Sequence, residues 1–161
     1  MSGETEVVVF GIDDTLFALP VTVVREILDR RPVFRVPSAP DWLVGLIDLR
    51  GQSVALIDLR SFSSSKATEI GPDARILIVE TGKDGSDVND PCLGLLVDQV
   101  LDVTRLMRED VENVPAIVPQ HGPWRLSGVL RRDEQFVGLL DMKAISALAD
   151  DALYACEAVA A

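Results

Sequence analysis

Positive charge is scarce in this sequence. Among 161 residues, 15 Lys and Arg stand against 26 Asp and Glu, a net charge of −11. Nucleic acid and anionic membranes both demand a basic face, so the deficit argues against either as the main partner. Long hydrophobic runs are missing too. The longest stretch without charge, 113–124, is 12 residues and carries three prolines, too short and too broken to span a bilayer. The first residues, Met1 to Glu6, are acidic and have neither the basic start nor the apolar stretch of a secretory signal. These features predict a cytoplasmic protein.

Side chains suited to catalysis are equally few. His121 is the one histidine, set in the turn-rich run Pro119-Gln120-His121-Gly122-Pro123 with no evident partner. Cys92 and Cys156 lie far apart, neither near a histidine, and without an export signal they read as reduced thiols rather than a bridge. There is no glycine-rich phosphate loop and no nucleophile elbow. Metal sites and serine or cysteine triads are poorly supported, and no cofactor is expected.

What the sequence does contain is a globular composition, 48% hydrophobic and 25% charged. Its length suits one ordinary domain or two very small ones. Short apolar runs at 7–12, 16–19, 33–36, 43–49, 53–59, 75–80, 93–97, 126–130 and 136–140 are rich in Val, Ile and Leu and bounded by turn residues. That pattern predicts an all-β chain of small barrels or sandwiches. The segment Thr22 to Leu28 suits either one or two helical turns after Pro20 or a strand. From about Met142, the apolar residues Ile145, Leu148, Ala149, Ala152, Cys156 and Val159 fall at helical spacing behind a possible cap, Asp141, and predict a C-terminal helix.

The most informative feature is an internal repeat. Gly45 to Arg60 aligns without a gap on Gly128 to Lys143, with Gly, Gln, Val, Leu and Asp identical at matching positions. Upstream, Val36-Pro37, Pro40, Trp42 and Gly45 are echoed by Val114-Pro115, Pro119, Trp124 and Gly128. Leu19, Val21 and Val24 match Leu95, Val97 and Val100. The chain reads as two copies of one small β module, each too small to bury much surface alone, packed so as to leave a groove for ligands or partner segments.

Positions shared by the copies are explained by the shared fold. Asp58 and Asp141 read as turn or cap residues, and Val24 and Val100 as packing positions. Where the copies differ, the fold does not impose the choice. The first has Asp48-Leu49-Arg50-Gly51 between its paired strands, whereas the second has Arg131-Arg132-Asp133-Glu134. Gly51 permits a positive φ at a hairpin turn, and Arg50 beside it offers a planar, five-donor guanidinium. Arg50 is either a solvated turn residue or an interface anchor, the setting in which arginine is enriched.

Several motifs in order then carry a family resemblance: Val24-Arg25-Glu26-Ile27, Val36-Pro37-Ser38-Ala39-Pro40, Val44 to Gly51, Val54 to Leu59, 75–79, Gly94 to Val100, and Leu139-Leu140-Asp141. Over about residues 6 to 141 the chain resembles the CheW family, the coupling proteins of bacterial chemotaxis arrays. The resemblance implies two five-stranded β-barrel subdomains, at about 6–65 and 74–141, within a single domain over 1–149. The first strand is a candidate for sharing with the second barrel, and a helix and tail occupy 142–161. It also implies no enzymatic activity. The implied partners are the cytoplasmic tip of a methyl-accepting chemoreceptor and the regulatory domain of a CheA-type histidine kinase, with membrane arrays reached only through those partners. The implied contacts are Val24, Glu26, Gly45, Asp48, Leu49, Arg50 and Gly51, with Val97 and Val100 as further candidates for lining the groove. The turn begins with Asp48 where the family commonly has Asn, which places a carboxylate able to pair with Arg50.

Two other readings remain at this point. Phe10-Gly11-Ile12-Asp13-Asp14-Thr15-Leu16 superficially resembles an aspartate-nucleophile phosphatase motif, but that chemistry needs two Asp separated by one residue after a parallel strand. Here they are adjacent and read as a hairpin turn. A peptide-binding β module outside chemotaxis would share the fold.

Overall fold

A computed structural model describes residues 4–62, 71–81, 92–117, 125–141 and 143–147. The expectations attached to His121, Trp124, Cys156 and the tail beyond 147 lie outside the described residues. Among the described residues there are ten strands: β1 (Glu4–Ile12), β2 (Thr15–Pro20), β3 (Val24–Leu28), β4 (Leu43–Leu49), β5 (Gln52–Asp58), β6 (Arg75–Glu80), β7 (Cys92–Val97), β8 (Gln99–Met107), β9 (Leu126–Arg132) and β10 (Gln135–Leu140).

They form two five-stranded sheets, in the orders β3-β6-β7-β5-β4 and β8-β1-β2-β10-β9. The two orders describe one topology used twice. Each has a central antiparallel hairpin (β6-β7 or β1-β2), one parallel pairing (β7 on β5 or β2 on β10), and an antiparallel hairpin at one edge (β5-β4 or β10-β9). The register repeats as well. Leu56 stands beside Gly94 in one sheet, and the residues aligned with them, Leu139 and Ala18, pair in the other.

The sheets do not follow the halves of the sequence. Both β1 and β2 join the three last strands, and β6 and β7 join β3, β4 and β5. Each sheet thus takes its central hairpin from one repeat and its remaining strands from the other. The exchange goes beyond the single shared strand expected from the sequence. It also ties the halves together, because neither repeat completes a sheet by itself.

Three apolar clusters follow from this exchange. One lies against the first sheet (Ile47, Leu49, Val54, Leu56, Ile76, Ile78), and another against the second (Val7, Val9, Ala18, Leu106, Leu130, Val137). The largest draws on both: Val8, Phe10, Ile12, Leu19 and Leu140 from one sheet meet Leu43, Ile57, Leu77, Val79, Leu93, Leu95 and Val97 from the other. Alternate side chains of a strand point to opposite faces. Consequently β1 sends Val7 and Val9 into one cluster and Val8, Phe10 and Ile12 into another, which is why its sequence is continuously apolar from Val7 to Ile12.

The sheets curl but do not close into the expected barrels. Their edge strands, β3 with β4 and β8 with β9, share no hydrogen-bonded ladder. The run at 33–36 is not a strand; it contributes only an isolated bridge from Phe34 to Leu46, and Glu112 bridges Val129 in the same way. Residues 24–28 resolve as a strand, preceded by a short 3-10 turn over Val21–Val23. The edge strand β8 was not anticipated. Its residues are mostly exposed and interrupted by Asp102 and Arg105, so it lacks the apolar density of the buried strands.

Asp141 caps the C-terminal element as expected, its Oδ1 accepting the Lys143 N–H at 2.9 Å. Residues 143–147 are helical, and Ile145 enters the core shared by the sheets. The aligned Asp58 accepts the Arg60 N–H at 2.9 Å.

Candidate functional site

The β4–β5 hairpin is closed by two residues, since Leu49 pairs with Gln52. Arg50 and Gly51 both have left-handed backbones, φ 51° and 84°, the conformation of a type I′ turn that matches the strand twist. Asp48 Oδ1 accepts the Gly51 N–H at 2.8 Å and holds the turn from within. Asp48 therefore does not pair with Arg50. The Arg50 guanidinium instead donates from Nη2 to Oε1 of Glu26 on β3. Because β3 and β4 are opposite edges of one sheet, this ion pair clasps the curled sheet where hydrogen bonds do not close it.

The clasp is uneven. The Arg50 side chain is 71% exposed and that of Glu26 only 23%. Glu26 Oε2 is buried and accepts no hydrogen bond from the described residues. A fixed cation is thus held out to solvent, with an unsatisfied acceptor behind it.

The second sheet carries a counterpart that sequence reading missed. Asp102 aligns with Glu26 in the repeat, and its Oδ2 accepts from Arg132 Nη2 at 2.8 Å. Arg132 lies one residue before the turn, so ungapped alignment sets it against Leu49 and conceals the equivalence. The polarity is reversed: Arg132 is 27% exposed and Asp102 is 51%. Asp133 and Glu134 take the left-handed turn positions, φ 47° and 67°. Hence the first hairpin presents a guanidinium and the second presents carboxylates.

The remaining candidates divide by burial. Leu49 is buried in the cluster of the first sheet, and Val97 is wholly buried in the shared core. Leu49 therefore offers a partner little side-chain surface and Val97 none, so any part they take in binding runs through the packing beneath the surface. Val24 and Val100 are partly buried and border the shared core, leaving part of each side chain outside it. Gly45 has a structural duty. A Cβ there would lie 2.1 Å from the Phe34 carbonyl oxygen, because the Phe34 bridge crosses directly over it. Its repeat partner Gly128 is likewise covered, by Val111 and Glu112.

Other exposed apolar side chains extend the candidate surface: Ile27 on β3, Leu101, Val103 and Met107 on β8, and Phe34. A groove of about 480 Å³ on the second sheet is lined by Leu16, Phe17, Leu126 and Phe136, with Arg131 at 5.1 Å over the Phe136 ring.

Asp13 and Asp14 form the two-residue turn between the antiparallel strands β1 and β2. The Asp13 N–H donates to Asp98 Oδ2 at 2.6 Å. The phosphatase-like motif is therefore a hairpin turn, without the parallel strand that such a nucleophile requires. Cys92, at the start of β7, is a free thiol whose pKa burial raises, against a smaller lowering by Arg25 and with the carboxylates Glu80 and Glu26 raising it further. A raised pKa means less thiolate at any given pH, so Cys92 in the folded chain should alkylate more slowly with iodoacetamide at pH 8 than in the denatured chain. Peptide mapping of the modified residue checks this; equal rates in both states would contradict the burial argument.

A family model described as the CheW-like domain matches residues 6–150. A probable chemotaxis protein CheW from Rhizobium etli is 29% identical over 143 residues, 89% of this chain and 88% of that protein. The chemotaxis protein CheW of Bacillus subtilis is 25% identical over 140 residues, covering 87% of this chain and 85% of that one. Among solved structures, the scaffolding protein TtCheW from Thermoanaerobacter tengcongensis superposes with a TM-score of 0.73. The superposition covers 88% of this chain and 85% of that one at 24% identity, a likeness of fold.

Proposed function

The chain belongs to the CheW-like family, and on that premise we propose that it is a non-enzymatic adaptor coupling methyl-accepting chemoreceptors to a CheA-type histidine kinase. The observation that carries the reading is the turn of the first hairpin. Arg50 occupies a left-handed position that disfavours a side chain, and it keeps its guanidinium exposed through an ion pair with Glu26. Side chains held at strained backbone positions cluster at binding sites, and here the strained position carries an exposed guanidinium that the aligned turn lacks, which favours recognition as its use.

The surface for partners then comprises Arg50 and Glu26 at the clasp, Asp48 and Gly51 shaping the turn, and Val24 and Val100 on the apolar border. A receptor tip would lay an apolar helix face along that border, while the kinase regulatory domain would engage the hairpin. No covalent chemistry is needed. Coupling follows if the adaptor binds two arrangements of its partners with unequal affinity, so that a change in receptor packing alters kinase activity.

The test is direct. The purified chain, immobilised, should retain the regulatory domain of the CheA-type kinase of its own organism, and separately a receptor cytoplasmic fragment. Adding the chain to kinase and receptor together should raise kinase autophosphorylation. Failure to retain either partner would overturn the reading.

A further inference from the structure

One buried charge connects the two sheets. Arg60 is 6% exposed, the buried charged side chain of the described residues. Its Nε and Nη2 donate to Oδ1 and Oδ2 of Asp58 at 3.0 and 3.1 Å, a bidentate pair at the end of β5. Its Nη1 lies 3.5 Å from Asp98 Oδ1. Asp98 is the single residue between β7 of the first sheet and β8 of the second. From there the link runs on: Asp98 Oδ2 accepts the Asp13 N–H, and the Asp98 N–H donates to the Gly11 carbonyl at 3.0 Å. A single guanidinium thus joins the end of one sheet to the crossover and to the first hairpin of the other.

The fold does not require this arrangement. The repeat places Asp141 and Lys143 where Asp58 and Arg60 stand, and Thr22 where Asp98 stands. Asp141 accepts the Lys143 N–H as Asp58 accepts that of Arg60, but Lys143 is exposed, so the twin keeps the cap without the buried cation. A network present in one copy and absent from its twin is not demanded by the topology. Buried ion networks add little net stability compared with apolar packing, while a bidentate charge-assisted pair adds geometric specificity to the groups it joins.

We propose that Arg60 is a positioning residue whose link through Asp98 fixes the relative orientation of the two sheets, and with it the spacing of the surfaces that face different partners. The orientation claim stands on the structure alone. Its consequence for coupling rests on the adaptor reading above.

The test separates the two. With Cys92 and Cys156 replaced by alanine, spin labels on Gln52 and Gln135 report the separation of the two outer hairpins by electron–electron double resonance. Asp98→Asn keeps an acceptor for the Asp13 N–H but removes the charge that Arg60 faces; Arg60→Met removes the guanidinium. Both variants should give a broadened or shifted distance distribution while the far-ultraviolet circular dichroism stays native, and Asp98→Asn serves should Arg60→Met fail to fold. A distribution identical to the unsubstituted chain in folded Asp98→Asn would overturn the proposal. In the reconstituted assay, Asp98→Asn should lower receptor-dependent kinase activation by about tenfold. Its affinity for each partner alone should stay within about twofold. A fall in activation matched by the fall in single-partner affinity would show a structural role only. Absence of binding by the unsubstituted chain would instead count against the adaptor reading and leave the distance result intact.

Discussion

Arg50→Glu should weaken capture of the kinase regulatory domain or the receptor fragment by about thirtyfold or more, the effect of removing an interface anchor worth about 2 kcal/mol. The fold should hardly notice. The guanidinium is mostly exposed and its ion pair is screened on that side, so the loss of stability should be about 1 kcal/mol or less. Reversal is harsher than removal, because it places a carboxylate beside Glu26, whose Oε2 accepts no hydrogen bond from the described residues. Arg50→Asn provides the sharper comparison. Asparagine tolerates the left-handed turn position better than arginine, which offsets the lost pair with Glu26, so this variant should stay within about 0.5 kcal/mol of the unsubstituted chain while still binding poorly. Binding would then fall while stability holds, which no purely structural role for Arg50 allows. Isothermal titration and thermal melts on the same preparations check both. Unimpaired binding by Arg50→Glu would remove this turn from the interface.

The second large effect concerns Gly45, a contact residue by resemblance but a packing necessity by geometry. Gly45→Ala should cost about 4 kcal/mol or prevent folding altogether, within the range reserved for backbone conflict and overpacking. The added Cβ would meet a carbonyl oxygen at 2.1 Å, and that oxygen cannot move without breaking the bridge between Phe34 and Leu46. Gly128→Ala should cost less, about 2 kcal/mol, because its nearest obstacle is the Val111 side chain at 2.5 Å rather than backbone. Urea denaturation of the pair measures the difference. Loss of binding in Gly45→Ala should track the unfolded fraction. A folded variant with a normal melt and no binding would return Gly45 to the contact surface.

These two positions show what kind of information the sequence held. The repeat identified Gly45 and Gly128 as equivalent, and an equivalence between two copies of a fold speaks of the fold. It identified Arg50 as different from its counterpart, and difference points to use. The motifs from Val24 to Asp141 were enough for the family, because ordered short motifs spread over most of a chain are specific even when each is weak. They were not enough for the site. Leu49 and Val97 stand within the matching motifs, yet the first packs beneath its hairpin and the second lies in the core between the sheets. A motif records which residues recur, and recurrence has the same appearance whether a side chain packs or binds.

By itself, then, the order of residues determined the number and spacing of most strands, the duplication, the hairpin turns at Asp13-Asp14 and Arg50-Gly51, and the caps at Asp58 and Asp141. All of these depend on neighbours in sequence: alternation of side chains, turn geometry, and hydrogen bonds to the next few residues. Only the tertiary structure decided that β1-β2 and β6-β7 change places between sheets, that Glu26 and Asp102 meet arginines from the opposite edge, and that Arg60 reaches Asp98 across the seam. Those outcomes join groups distant along the chain, where the deciding quantity is which apolar faces can be buried together and which charges then find partners. No local pattern encodes that choice, because the central hairpins of both repeats carry similar buried runs of Val, Ile and Leu.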